Sequence, residues 1–320
     1  MKLHIPNSAF LGNIEPFISS FDLSEPEKLE ITSNEKWISV HPMVLSMLLS
    51  LGLSVGRKNV SFGELKAKSR PYLERMGLFK ELGVDSGISI VEHEPSGRFI
   101  PLSTISDSEE LTHFITEMVP LLHTDAEHSE PIKYVISELV RNVFEHSESP
   151  HGAIVCAQFY KKSNRIAIGV ADAGIGIKES ISVSHNPAND LEAIQLALTP
   201  GVTGTTSRSG GTELNAGAGL FFIKSIAKVN RDFFVMYSGS SLYKLLKTPQ
   251  NKRIRLFSDP FSDRCTKREN LPYWQGTVVG MDISLDQHQD FDHLLDLIRN
   301  VYYKDIKKRK KERVWRPRFV

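Results

Sequence analysis

Apolar positions along the chain fall into stretches of helical and of alternating period. "KLEITS" (Lys28 to Ser33) predicts a strand, and "PMVLSMLLSLGLSVG" predicts a helix ending near Gly56. "NVSFGEL" is a second short strand, and "RPYLERMGLFKELG" a second helix stopped by Gly83, so residues ~20–92 read as a strand–helix–strand–helix unit. A Pro/Gly-containing connection, "EHEPSGRF", follows. From Asp107 the pattern turns helical in "SEELTHFITEMVPLLH", and Pro131 is expected to open the next helix, because a missing N–H costs little in a first turn. Strands "GAIVCAQFY" and "RIAIGVAD" come next, then a Gly/Ser/Thr-rich stretch from Pro200 to Gly219 and the amphipathic helix "LFFIKSIAKVN". "RDFFVMYSGS" and "GTVVGMDISL" read as strands, with "KTPQNKRIRLFSDPFSDRCTKRENLPYWQ" between them as an excursion from a hairpin. A last helix is expected from about Phe291 into "KKRKKERVWRPRF", and no internal repeat is present.

One helix has an unusual polar stripe. In "ISELVRNVFEHS" Ile136, Leu139 and Val143 share a face with Ile132, while Glu138, Asn142 and Glu145 cluster near the opposite one. Such a stripe is either a solvated face or a set of groups held for a ligand. Asn is a poor residue for a helix interior. Its amide oxygen can ligate Mg²⁺, and a Glu one turn earlier can hold a water as general base, which asks for a phosphate nearby.

Two further stretches bear on that question. In "RIAIGVADAGIGI" Ile166, Ile168 and Val170 alternate onto one sheet face, and Asp172 shares their parity, so its carboxylate points to the apolar, helix-covered side. There it needs donors, and the exocyclic amine of adenine is one. Gly174 and Gly176 remove side chains where the chain turns; the same residues also suit a plain strand-ending turn. In "GGTELNAGAGLFFIKSIAKVN" a Gly-rich loop enters a helix, so Gly217 and Gly219 expose backbone N–H groups at a terminus that favours an anion. Neither the dinucleotide fingerprint nor G-x-x-x-x-G-K-[ST] is present, and alone this stretch also reads as a flexible loop.

Bulk properties narrow the picture. The 320 residues suffice for about two domains; 40% hydrophobic and 24% charged is ordinary for a globular protein, and a net charge of +1 gives no whole-molecule field for nucleic acid or membrane. Two cysteines, Cys156 and Cys265, with no C-x-x-C, exclude a disulfide scaffold or a Cys-based zinc site and suit a reducing, cytoplasmic location. "MKLHIPNSAFLGNIEPF" lacks the apolar core of a signal peptide, and "MVLSMLLSLGLSV", interrupted by three serines, is too short to span a bilayer.

Taken in order, E-x-x-x-N, D-x-G-x-G, G-x-G-L opening a helix and G-T (Gly276, Thr277) before a last strand resemble the GHKL superfamily over roughly residues 107–285. That group includes type II topoisomerases, histidine kinases, mismatch-repair ATPases and anti-sigma serine kinases. The resemblance implies the Bergerat fold, an α/β (α+β) sandwich of a mixed sheet with helices on one face, over residues 106–285, with ATP (or ADP) and Mg²⁺ as ligands. It makes Glu138 the candidate base, Asn142 the Mg²⁺ ligand and Asp172 the adenine reader. Gly174 and Gly176 would shape the adenine pocket, while Gly217, Gly219 and the Leu220 backbone would cradle phosphate. Thr199 to Ala216 matches the ATP lid, with Thr203 and Thr205 as extra contacts, and Thr277 joins the nucleotide site.

Within that superfamily, Glu138, Asn142 and the following His146 look most like the anti-sigma serine-kinase branch; His146 also suits a helix end as a surface cation. No long hairpin with a phosphoacceptor His precedes the domain, and only about 35 residues follow Leu285, too few for a transducer domain, so a lysine reading the γ-phosphate has no obvious source in the chain. The segment up to residue 105, linker included, resembles a STAS domain over residues ~20–92 through its hydrophobic pattern and "MGLF". Where STAS antagonists carry a phosphorylated Ser or Thr, this chain reads "VHPMVL", so a fixed regulatory or dimerising domain is expected, with a second copy of the chain as a candidate partner; an unrelated small α/β unit is the alternative. Residues 286–320 form a C-terminal helix and basic tail. That tail is either a solvated helix end or a contact for nucleic acid or an acidic partner, with Trp315 and Phe319 available for stacking. The functional expectation is a Mg·ATP-binding protein acting on an unidentified protein partner, either as a slow ATPase or protein kinase or as a nucleotide-gated module without chemistry.

Overall fold

Residues 1–88, 99–122, 126–202, 218–286 and 291–314 are described by a computed structural model. Near the N-terminus, alternating buried positions (Leu3, Ile5; Leu29, Ile31) build a small parallel sheet of β1 (Lys2–Ile5), β2 (Leu29–Ser33) and β3 (Val60–Phe62), in that order. Around it lie α1 (Glu15–Ile18), α2 (Pro42–Val55), α3 (Pro71–Arg75) and α4 (Leu78–Leu82). The expected second helix is thus two helices. Gly77 takes a left-handed conformation (φ 81°) that breaks the run between them, and Gly83 ends the second as expected. Strand β1 gave no signal in the sequence.

The other sheet has seven strands: β4 (Phe99–Ile105), β5 (Ala153–Tyr160), β6 (Arg165–Ala171), β7 (Phe234–Gly239), β8 (Ser241–Leu245), β9 (Cys265–Arg268) and β10 (Trp274–Ser284). Their spatial order is β4-β5-β6-β10-β7-β8-β9, and every pairing is antiparallel. The expected mixed sheet is corrected by the place of β10. Strands β6 and β7 run parallel to each other, joined by a helical crossover, but β10 lies between them and pairs antiparallel with both.

Helices α5 (Ser108–His113), α6 (Ala126–His146), α7 (Gly176–Ser182), α8 (Asp190–Ala197), α9 (Gly219–Val229) and α10 (Phe291–Val314) complete the chain. Helix α6 begins one turn before Pro131, which lies inside it at the cost of one backbone bond near the helix start. Its apolar stripe (Ile132, Ile136, Leu139, Val143) joins Ile166, Ile168 and Val170 of β6 and Phe221, Ile223 and Ile226 of α9 in one core. Helix α10 closes this layer, with Tyr302 against Phe221 and Phe222 and Phe291 against Tyr134.

Helices were expected on one face only. The opposite face is covered by α2, whose Met43, Val44 and Met47 share a second core with Ile154, Cys156, Ala171, Val235 and Val278. The approach is that of backbone to backbone: a Cβ on Gly169 would fall 2.2 Å from Met43 N, and Ser46 Oγ donates to the Gly169 carbonyl at 3.1 Å. His41 caps α2 by accepting the Met43 N–H on Nδ1 (3.0 Å), and its Nε2 lies 3.5 Å from Asp282 of β10. The long excursion between β8 and β10 returns to the body through Asp263, which pairs with Lys224 (2.7 Å) and Lys228 (3.3 Å) of α9. Among the described residues no helix is long and apolar enough to cross a membrane.

Candidate functional site

Between α6, the β6–α7 turn and the start of α9 lies a cavity of about 360 Å³, within the size range of small-molecule sites. Glu138, Asn142, Asp172, Gly176, Gly219, Leu220 and Thr277 all line it. They come from four separate stretches of chain, and the fold converges them for a simple reason. The polar stripe of α6 lies along the rim of its apolar footprint, and β6 ends directly beneath it.

Asp172 follows the inward parity of β6. It is 3% exposed, and its Oδ1 accepts the Gly174 N–H at 2.8 Å. Its backbone is fixed by an N–H bond to the Thr277 carbonyl (2.9 Å) and by Trp274 Nε1, which donates to its carbonyl at 3.2 Å. Burial pushes the Asp172 carboxyl up to about 7, and backbone N–H bonds from Gly174 and Thr277 offset this only in part. Among the described residues no cation compensates this carboxylate, so a polar ligand that donates to it would relieve its desolvation.

Gly174 plays a different part from the one expected. It does not line the cavity; a Cβ there would fall 1.9 Å from the Ser147 carbonyl, so its bareness lets the end of α6 meet the β6–α7 turn. The Ile175 N–H bond to that same carbonyl (2.7 Å) completes the join. Gly176 opens α7 with φ 81°, which suits glycine, and Ser238 Oγ accepts the next N–H, that of Ile177, at 3.0 Å.

On α6, Asn142 Nδ2 donates to the Glu138 carbonyl at 2.7 Å, which leaves the amide oxygen as the group for a cation or a donor. Burial raises the Glu138 carboxyl above its usual range, against the lowering effect of Arg141, while Glu145 adds to the rise. Arg141 Nη1 sits 3.2 Å from Glu138 Oε1. Across the cavity Gly219 begins α9. A Cβ on it would come 2.6 Å from Glu138 Oε2, so the bare glycine sets the gap between the two helices. Ala218 before it has no polar side chain to cap the first N–H groups, which therefore face the cavity with their positive end.

Thr203, Thr205 and Gly217 lie outside the described residues, as does most of the segment expected as a lid. Its first residues are described: Thr199 Oγ1 donates to Gln195, and Val202 lines the cavity. Trp315 and Phe319 are likewise outside. The sequence reading missed Tyr134, Arg141, Ser147, Ile177 and Met236 as lining residues. The aliphatic and aromatic ones carry only a core signal, and Arg141 belongs to no motif of the helix. Among the described residues no group of three His, Cys, Asp or Glu side chains is placed to hold a metal by itself. Comparison of the chain with protein-family models, with curated proteins and with solved structures finds no match.

Proposed function

We propose that this cavity binds an adenine nucleotide with Mg²⁺, in a domain of GHKL type with a Bergerat-like arrangement of α6 and α9 over the sheet. The observation that carries the reading is the convergence of Glu138, Asn142, Asp172, Gly219 and Thr277 on one cavity, in the chemical roles their motifs imply. The donor set suits the ligand. Among the described residues, a buried carboxylate without a cation fits the adenine amine, the first N–H groups of α9, which the Ala218 side chain does not cap, fit phosphate, and the Asn142 amide oxygen fits a hard cation. Magnesium would supply neutralisation of the phosphate charge. Glu138, its carboxyl raised by burial and within the same cavity, is the group to hold a water or a partner's hydroxyl and take its proton.

On this reading the protein is a slow ATPase or a protein kinase that works as an ATP-gated switch. The N-terminal unit, with a parallel sheet and α2, is the STAS-like regulatory part; its α2 lies on the sheet face away from the cavity. Incubation with γ-labelled ATP and cell lysate divides the outcomes. Label on free phosphate marks an ATPase and label on a protein marks a kinase. Binding without either marks a nucleotide-gated interaction module. Glu138→Ala should abolish turnover and keep nucleotide binding, and Asn142→Ala should weaken the Mg²⁺-dependent part of binding. Turnover unchanged in Glu138→Ala would remove it as the base.

A further inference from the structure

Among the described residues the charges around the cavity do not balance for a triphosphate. Three carboxylates line it, Glu138, Glu145 and Asp172; Arg141 is the only Lys or Arg among the described lining residues, and His146, whose Nε2 lies 3.7 Å from Glu145, is the other basic side chain there. The nearest lysines of α9 are occupied elsewhere, Lys224 and Lys228 both holding Asp263. A nucleotide brings further negative charge into this setting, and the N-terminus of α9 contributes only a partial positive charge.

We infer that Arg141 is the residue that reads the terminal phosphate, and so the one that separates a nucleoside triphosphate from a diphosphate. The inference rests on the adenine-nucleotide reading of the cavity. Arg141 lies next to Asn142, the candidate Mg²⁺ ligand, and one turn from Glu138, so its guanidinium shares a rim with both. It pairs with Glu138 Oε1 at 3.2 Å across i,i+3, and its side chain is 60% exposed. With the guanidinium in water, an i,i+3 helical pair of this kind is weak, worth about a few tenths of a kcal/mol. The guanidinium can therefore leave it at small cost for a phosphate, which it can grip through two parallel N–H bonds. Its departure frees the Glu138 carboxylate at the moment a terminal phosphate arrives. Arg141 thus supplies the cation for that phosphate from the middle of α6.

The test is titration of ATP, ADP and AMP into the full chain with Mg²⁺, comparing the parent with Arg141→Gln and Arg141→Lys. Exposure of the side chain makes both variants fold, which thermal melting checks. Arg141→Gln should lose about tenfold or more in ATP affinity, with ADP and AMP changed less than about threefold and Arg141→Lys in between. Equal loss for all three nucleotides, or an unchanged ATP affinity, would overturn the assignment to Arg141. Failure of the parent chain to bind any of the three would instead remove the nucleotide reading on which it rests.

Discussion

Helix α9 meets a buried carboxylate at each of two places, and the two are treated in opposite ways. In its middle, Asp263 is held between Lys224 and Lys228, and Lys224 is itself fully buried and lies 5.3 Å from the centre of the Phe221 ring. At its start, Asp172 across the cavity has backbone N–H partners and, among the described residues, no cation. The first carboxylate is neutralised within the chain and fastens the 246–273 excursion to the core. The second is left uncompensated beside open space, the condition of a group awaiting a ligand. Burial alone therefore does not mark a functional acid; what decides is whether the chain supplies its counter-charge.

The largest effect should come from breaking the neutralised side. Asp263→Ala strands two lysines, and loss of one partner of a buried pair costs about 3–5 kcal/mol, read as a lower denaturation midpoint. Nucleotide affinity should fall only in so far as the fold does. Replacing Asp263 by Leu together with both Lys224 and Lys228 by Met should recover most of the loss, since a buried ion cluster is worth little more than apolar side chains of like volume.

Asp172→Asn should do the reverse to the ligand-free protein. A carboxyl raised from its ordinary 3.8 to about 7 contributes most to stability below about pH 4, and that contribution is lost as pH rises through 7. The full loss amounts to at most about 4 kcal/mol. Above pH 7 the Asn variant should accordingly match or exceed the parent in stability, and its pH dependence between 4 and 7 should be flatter. Nucleotide binding by the parent should strengthen by about tenfold from pH 6 to pH 8 as the carboxylate forms, and this rise should vanish in the variant. Parallel titrations across that range check both.

The smallest effect on stability is expected for Gly219→Ala. The new Cβ meets the far end of the Glu138 side chain, which can move, so folding should change by less than about 0.5 kcal/mol. Nucleotide affinity should still fall several-fold, because the methyl group enters the space between α6 and α9. A melt paired with a binding titration separates the two.

Much of this contrast was legible in the sequence on one side only. The inward aim of Asp172 followed from strand parity, and the stripe of Glu138 and Asn142 from helical period, since both are local patterns. The Asp263 clasp was not legible. It joins residues 39 apart through an irregular excursion, and a lysine inside an amphipathic helix gives no sign of being buried. Strands β1, β4, β8 and β9 were missed because short or edge strands carry weak alternation. The antiparallel sheet was missed because no local signal tells β10 to insert between β6 and β7. That α2 covers the back of the sheet depends on Gly169 and Gly280 facing Met43, a meeting between distant segments that neither segment announces.

The central claim is that Asp172 is left uncompensated in order to read adenine, and titration of ATP against GTP tests it most directly. Guanine presents a carbonyl where adenine presents its amine, so two acceptors would face each other in a buried site. That mismatch costs roughly 1–3 kcal/mol, or about ten-fold to over a hundred-fold in affinity. ATP and ADP should bind and GTP should bind at least about ten-fold more weakly, with Asp172→Asn weakening ATP and narrowing the gap. Equal affinity of the parent protein for ATP and GTP, or no binding of either, would contradict the account.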